Sequence, residues 1–127
     1  MIDPSWRSRL HEYLGGTVNG LDGQTLGVGG TADHVHLMVD LKSTHCLADF
    51  MRELKKATSI WVHDEIGVSA FRWQEGYGAF TVSPNARAQV RSYIANQEEH
   101  HRMHTFREEL VKLLERAGVE YEPSYLD

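Results

Sequence analysis

Two histidines separated by one residue are the strongest chemical signal in the sequence. His34 and His36 lie within residues 33–41, DHVHLMVDL, where apolar and polar side chains alternate. Alternation with a period of two is typical of a β-strand and places both imidazoles on one face of it. Two imidazoles at this spacing can bind one metal ion. Because the chain has eight histidines, a chance pair packed or solvated on a sheet face is an equally good interpretation at this point.

A tyrosine and a glutamine form the second pair of chemical interest. Tyr93 and Gln97 stand four residues apart in a predicted helix over residues 84–101, so they share one helix face. A tyrosine hydroxyl can act as a nucleophile, and a carboxamide oxygen beside it can bind a metal ion. Tyrosine at such a position more often belongs to a core or an interface, so the pair alone leaves both interpretations open.

The elements that must position these residues are predicted from periodicity and stop signals. Helical spacing of apolar residues predicts helices over residues 5–14, 46–63, 84–101 and 104–117. Two further short strands are predicted at residues 25–28 and 79–82. The first helix is expected to end at Gly15-Gly16, and Ser43 or Thr44 is expected to cap the second.

Length and composition indicate a single folded domain over residues 1–127. Hydrophobic residues make up 41% of the chain and charged residues 24%, close to the average of globular proteins. No apolar run approaches the ~20 residues that a membrane-spanning helix needs. One cysteine, Cys46, excludes an intramolecular disulfide and fits a reducing compartment, so we expect a cytoplasmic protein without a membrane partner.

The net charge of −5 argues at first against a nucleic-acid partner, but the distribution of charge weakens that argument. Residues 98–127 carry eight acidic and four basic residues, whereas residues 42–91 carry seven basic and five acidic ones. A phosphate backbone responds to charge within about a Debye length, ~10 Å. Binding would therefore depend on a shaped site in the mildly basic middle of the chain.

Four residues in this middle region are candidates for contacts with DNA: Arg52, Lys55, Lys56 and Tyr77. The three basic residues lie on the polar side of the second predicted helix and could contact phosphates, although a solvated helix face is as good an interpretation. Tyr77 lies between two glycines, where a base could stack on its ring. A plain turn before a strand is the simpler interpretation there, and burial is favoured for Trp73.

Several motifs, taken together and in order, resemble one known family. TADHVHLMVDL, WQEGYGAFTVS, YIANQEEHH and the terminal VEYEPSYL are similar to segments of the single-tyrosine HUH transposases of small bacterial insertion sequences. The likeness is to the IS200-like transposases, and within them to the branch of REP-associated tyrosine transposases. It extends from about residue 10 to residue 126 and depends on the combination, since no single motif is specific.

The resemblance implies a fold and a reaction. The fold would be α+β, a ferredoxin-like sandwich whose antiparallel sheet carries helices on one face, working as a homodimer on single-stranded or hairpin DNA. His34, His36 and Gln97 would bind a divalent metal ion, Mg²⁺ or Mn²⁺, and Tyr93 would be the catalytic nucleophile. The family cleaves and rejoins single-stranded DNA through a 5′-phosphotyrosine intermediate, commonly with the tyrosine of one subunit over the histidines of the other. Such a protein would act at the bacterial nucleoid.

One departure from the family pattern leaves the activity open. Family chains begin with an apolar strand ahead of the first helix, whereas this sequence starts almost at the helix. We therefore expect an N-terminally incomplete domain that lacks the first strand. An inactive, domesticated or truncated relative that binds DNA hairpins is the alternative function, and a metal-binding domain without a nucleic-acid role is a third.

Overall fold

The computed structural model describes residues 2–73, 79 and 81–96. Along this part of the chain the elements are helix α1 (Pro4–Gly20), strands β1 (Gln24–Gly30) and β2 (Val35–Asp40), and helices α2 (Leu47–Trp61) and α3 (Arg87–Ala95). A π-helical turn, Val62–Ile66, continues α2, and a 3-10 turn, Pro84–Ala86, precedes α3. The two strands pair antiparallel. The predicted α+β class with an antiparallel sheet is confirmed, and the architecture is compatible with part of a ferredoxin-like sandwich.

Helix α1 begins as its sequence predicts but continues past its expected end. The Asp3 carboxylate accepts a hydrogen bond from the backbone N–H of Ser5 at 2.8 Å and caps the first turn. The predicted stop at Gly15-Gly16 is wrong, because the helix runs on to Gly20. Thr25 of β1 donates a hydrogen bond to the carbonyl of Gly15 at 2.9 Å, and Val18 is fully buried one turn later. These tertiary contacts offset the helix-propensity cost of each glycine, about 1 kcal/mol.

Helix α2 starts near its predicted position but without the predicted cap. Cys46 occupies the N-cap position and makes no side-chain capping hydrogen bond, so the expectation of a Ser43 or Thr44 cap is wrong. Burial of Phe50 and Leu54 against α1 stabilises the helix instead. After the π-helical turn the chain reverses at Gly67, whose φ of 85° is readily adopted by glycine.

The two-stranded sheet has helices on both faces within the described ranges. Val35, Leu37 and Val39 of β2 pack with the core formed by α1 and α2. Met38 points to the opposite face and packs with Val90 and Ile94 of α3. Two helices therefore cover one face, as expected, whereas the contact of α3 with the other face departs from the expectation of helices on one face only. This second face is the one that carries the even-numbered residues of β2, including His36.

Some predicted elements fall partly or wholly outside the described residues. The helix predicted over residues 84–101 is seen as a 3-10 turn and α3 as far as Ala95, and the helix predicted over 104–117 lies outside. Of the strand predicted at 79–82, residues 79, 81 and 82 are irregular and residue 80 lies outside. None of the helices in the described ranges is long and apolar enough to cross a membrane.

Candidate functional site

The two histidines lie together, His34 directly before β2 and His36 within it. The backbone N–H of Thr31 donates to the carbonyl of His34 at 2.9 Å, which closes the turn between the strands. His36 is paired with Gly29 across the hairpin. The centroids of the His34 and His36 rings are 5.0 Å apart, and their planes meet at 64°. The close approach predicted from the His-x-His spacing is therefore present in the structure.

Both imidazoles are largely withdrawn from water. His34 is buried, His36 is half-buried, and the Nε2 atoms of both rings are inaccessible to solvent. Burial lowers the pKa of His36 to about 4, and the neighbouring His34 contributes to the lowering. At neutral pH His36 is therefore uncharged, which is the form in which imidazole binds a metal ion.

The other ring nitrogen of His34 is held by two neighbouring side chains. Nδ1 of His34 lies 2.5 Å from Oδ1 of Asp33 and 3.1 Å from Oγ1 of Thr31. Thr31 also donates a hydrogen bond from its hydroxyl to the same Asp33 oxygen, at 3.0 Å. Thr31 is 2% exposed, so this cluster lies partly inside the protein. We did not single out Asp33 or Thr31 from the sequence, although an acidic residue directly before the first histidine was a usable signal.

Tyr93 lies on the helix that covers the histidine face. Its side chain is 3% exposed and packs in one cluster with Met38, Val90 and Ile94. Met38 is two residues beyond His36 on the same face of β2. Within a single subunit, therefore, α3 brings the predicted nucleophile to the side of the sheet that carries the predicted metal ligands.

A glycine in β1 allows this helix to approach the sheet. A Cβ atom on Gly29 would overlap the carbonyl oxygen of Ile94, and it would lie 2.8 Å from the carbonyl carbon. Because Gly29 is paired with His36, this contact of α3 with the sheet lies beside the histidine site. The sequence showed many glycines in this region without indicating which one faces a helix.

Two predicted site residues, Gln97 and Tyr77, lie outside the described residues. In the described ranges no three His, Cys, Asp or Glu side chains converge as a metal site. The pair of imidazoles fits a divalent metal ion in donor type and in spacing, and an amide oxygen would be a compatible third ligand. The assignments of His34, His36 and Gln97 as ligands and of Tyr93 as nucleophile stay predictions.

The basic residues proposed for DNA binding lie on α2, on the other side of the sheet from His36. Arg52 is exposed and forms ion pairs with Asp49 at 3.1 Å and Glu53 at 3.7 Å. Lys55 is half-buried, and Lys56 is exposed. Their role stays a prediction, and their position favours the interpretation of a solvated helix face.

Arg91 is a basic residue on the same side of the sheet as the histidine site, unlike the basic residues of α2, and it was not among the residues selected from the sequence. Arg91 is exposed on α3, and its side chain passes over Gly27 of β1. A Cβ atom added to Gly27 would lie 3.6 Å from Cγ of Arg91. Gly27 is paired with Met38, so Arg91 lies over the same face as His36. Its helix position could have been found from the sequence, but its neighbours across the sheet could not.

Trp73 packs against the protein core and forms a hydrogen bond with a core residue. Its indole N–H donates a hydrogen bond to Oγ1 of Thr58 at 2.9 Å, and Thr58 is fully buried. The ring also packs edge to face against Phe71. Trp73 is half-buried against the core, so the expectation that it is buried is met only in part.

Taken together, these features define an α+β protein in which paired histidines and a tyrosine-bearing helix share one face of an antiparallel hairpin. Residues 1–97 match the family model described as "Transposase IS200 like". The chain belongs to the IS200-like transposase family, which confirms the resemblance seen in the sequence.

Individual relatives agree with this assignment. The chain is 30% identical over 78 residues to the transposase for insertion sequence element IS200 of Salmonella typhimurium, covering 57% of this chain and 51% of that protein. It is 31% identical over 87 residues to the ISDra2 transposase TnpA of Deinococcus radiodurans, covering 64% of this chain and 61% of that protein. The chain thus spans about half to three fifths of the length of these curated relatives. No solved structure matches it significantly.

Proposed function

We propose that this protein is a metal-dependent tyrosine transposase that cleaves and rejoins single-stranded DNA through a 5′-phosphotyrosine intermediate. Membership of the IS200-like family supports transposition and DNA binding. The observation that carries the finer proposal is the packing of α3, with Tyr93, onto the face of the hairpin that bears His36. A nucleophile and a pair of imidazoles on one face are the parts that such a reaction needs.

In the proposed reaction Tyr93 attacks the scissile phosphate. The bond between the phenolic oxygen and phosphorus forms, the bond from phosphorus to the 3′ oxygen breaks, and that oxygen takes up a proton to become a 3′-hydroxyl. A phenol has a reference pKa of ~10, so the tyrosine must lose its own proton as it attacks. The covalent link conserves the energy of the broken phosphodiester, and a second DNA end can displace the tyrosine without ATP.

His34 and His36, with Gln97, would hold the divalent metal ion, Mg²⁺ or Mn²⁺. When bound, the ion would act as a Lewis acid on the phosphate and orient it. All three side chains are neutral ligands, so they leave the charge of the ion available to the phosphate. Burial of His36 supports this role because it keeps the ring unprotonated at neutral pH.

The same geometry also supports an alternative, a relative that binds DNA hairpins without cutting them. Tyr93 is 3% exposed in this conformation, so DNA has almost no access to it unless α3 moves away from the sheet. A cutting enzyme needs such a movement whether Tyr93 attacks DNA at the histidines of its own subunit or at those of the second subunit of a homodimer. A binding protein needs neither.

The two functions are separated by a covalent adduct assay. The full chain is incubated with Mn²⁺ and 5′-labelled and 3′-labelled single-stranded oligonucleotides that carry hairpins from the DNA flanking the gene. A transposase gives a protein–DNA adduct that survives SDS and that carries the DNA 3′ of the cut. The Tyr93→Phe variant should lose the adduct and keep hairpin binding in a mobility-shift assay.

Three outcomes would contradict parts of this proposal. An adduct that persists in Tyr93→Phe would reject Tyr93 as the nucleophile. Activity retained by His36→Ala in the presence of EDTA would reject the metal site. Hairpin binding by the wild-type protein without any adduct would favour the binding function.

A further inference from the structure

We infer that Asp33 and Thr31 are positioning residues that fix His34 in one tautomer and so present its Nε2 lone pair to a divalent cation. The inference rests on the proposed function for the cation, whereas the tautomer itself follows from the hydrogen bonds of these three side chains. In this arrangement Asp33 and Thr31 act on the metal ion through His34.

The distances determine which atom carries the proton. An ionised carboxylate has only acceptor sites, and a neutral imidazole has one donor nitrogen and one acceptor nitrogen. Nδ1 of His34 and Oδ1 of Asp33 are 2.5 Å apart. If both atoms were acceptors, two lone pairs would repel at this separation, so Nδ1 must carry the hydrogen and donate it to Asp33.

The hydroxyl of Thr31 fits the same assignment. It has one hydrogen to give, and its contact with Oδ1 of Asp33 at 3.0 Å uses that hydrogen, because the carboxylate cannot donate. Its oxygen can then accept the weaker branch of a bifurcated hydrogen bond from the same Nδ1–H of His34, at 3.1 Å. The three groups satisfy one another with a single arrangement of hydrogens, and in that arrangement the neutral His34 ring has its lone pair on Nε2.

Burial and backbone geometry keep the cluster in place. The side chain of His34 is 8% exposed, whereas that of Asp33 is 42% exposed. The tight turn that joins β1 to β2 holds Thr31 and His34 opposite each other through their backbone hydrogen bond. A carboxylate that accepts a hydrogen bond from one ring nitrogen of a histidine raises the basicity of the other nitrogen, here Nε2, and orients the ring toward a bound ion.

The first test reads the tautomer directly and needs no metal ion. In metal-free protein at pH 7.5, ¹⁵N–¹H correlation spectra of the His34 ring should show Nδ1 protonated and Nε2 bare in the wild type. Asp33→Ala should shift the ring toward a mixture of tautomers, and Asp33→Asn, which keeps a carbonyl acceptor, should retain most of the Nδ1–H form. Asp40→Asn, an exposed carboxylate at the far end of β2, is the matched control and should leave the His34 signals unchanged.

The second test measures Mn²⁺ binding by calorimetry without DNA. Loss of an outer partner of a metal ligand typically weakens binding about 10–100-fold, and we expect a loss in this range for Asp33→Ala. Thr31→Val should lose less, because Asp33 still accepts from Nδ1. Asp40→Asn should bind as the wild type does, and circular dichroism will show that each variant is folded.

The results distinguish this inference from the proposed function. A wild-type His34 with Nε2 protonated, or a tautomer unchanged by Asp33→Ala, would overturn the inference. Equal Mn²⁺ affinity of Asp33→Ala and wild type would overturn it as well. If the wild type bound no Mn²⁺, the metal-dependent function would fail, and the tautomer spectra would still decide whether Asp33 positions the ring.

Discussion

Gly29 and Ile94 are in backbone contact, and this contact lies beside His36. Gly29 is the partner of His36 in the hairpin, and any Cβ at this position would overlap the Ile94 carbonyl group. Ile94 directly follows Tyr93, so the position of the tyrosine relative to the histidines depends on a strand residue without a side chain.

Gly29→Ala should push α3 away from the sheet. We expect a loss of about 1–3 kcal/mol in the free energy of unfolding, as for other overpacked positions. Urea denaturation measures the loss, and hydrogen exchange should increase in α3. Gly16→Ala is the control, because a Cβ there meets no atom within 4 Å and replaces a glycine inside α1. That variant should gain about 0.5–1 kcal/mol. Equal effects of the two substitutions would show that the contact does not hold α3.

Stability should fall in acid because of His36. Its pKa is about 4 in the folded protein against an ordinary value of 6.5, so the unfolded chain takes up a proton first as the pH falls. The contribution of His36 to stability is complete above about pH 6.5 and is lost as the pH falls toward 4. The shift corresponds to about 3 kcal/mol in metal-free protein.

Urea denaturation in EDTA at several pH values measures this loss. His36→Gln should show a smaller decrease in stability between pH 6.5 and pH 4 than the wild type. Titration of the ring by NMR checks the cause, because the His36 signal should remain that of a neutral imidazole down to about pH 5. A wild-type slope that persists in His36→Gln would show that other groups produce it.

Arg91 should matter more for DNA binding than Arg52. Arg91 lies on the histidine face, whereas Arg52 is on α2 and is already paired with Asp49 and Glu53. Arg91→Gln should weaken binding of a single-stranded oligonucleotide and reduce the slope of log K against log salt by about 0.7 if one phosphate contact is lost. Arg52→Gln should change neither. Fluorescence anisotropy at several salt concentrations measures both quantities, and the opposite ranking would place the DNA on the α2 side.

The hydrogen bond between Thr58 and Trp73 should contribute to the free energy of unfolding. Thr58→Val keeps the shape of the side chain but removes the acceptor for the indole N–H, and the unpaired donor should cost about 1–3 kcal/mol. Thermal and urea unfolding measure the loss, and the emission of Trp73 should change. Thr17→Val, which removes a hydroxyl bonded only to its own helix, should have a smaller effect. If both variants lost the same stability, the bond to Trp73 would not be the cause.

Local patterns in the sequence were enough for helices α1 to α3 and strands β1 and β2, but not for all of their ends, and the strand predicted at residues 79–82 is irregular at residues 79, 81 and 82. Alternation in residues 33–41 predicted the strand and the shared face of the two histidines, because side-chain direction along a strand repeats every two residues. The stop at Gly15-Gly16 was wrong because packing of α1 against β1, and not local propensity, decides where that helix ends. The helix cap at Ser43 or Thr44 failed for the same reason, since the apolar contacts of α2 determine its start.

By itself, then, the sequence determined the class of fold, the family, and the proximity of the His34 and His36 side chains, because these depend on residue types at short, fixed spacings. Only the tertiary structure decided that α3 covers the histidine face and that the absence of a side chain at Gly29 allows its close approach. It also decided that Asp33 and Thr31 form hydrogen bonds with the ring of His34. It also decided the low pKa of His36, since burial is a property of all the elements around a residue. These features depend on contacts between residues that are distant along the chain or turned toward each other by a tight loop, and no local pattern encodes their distances.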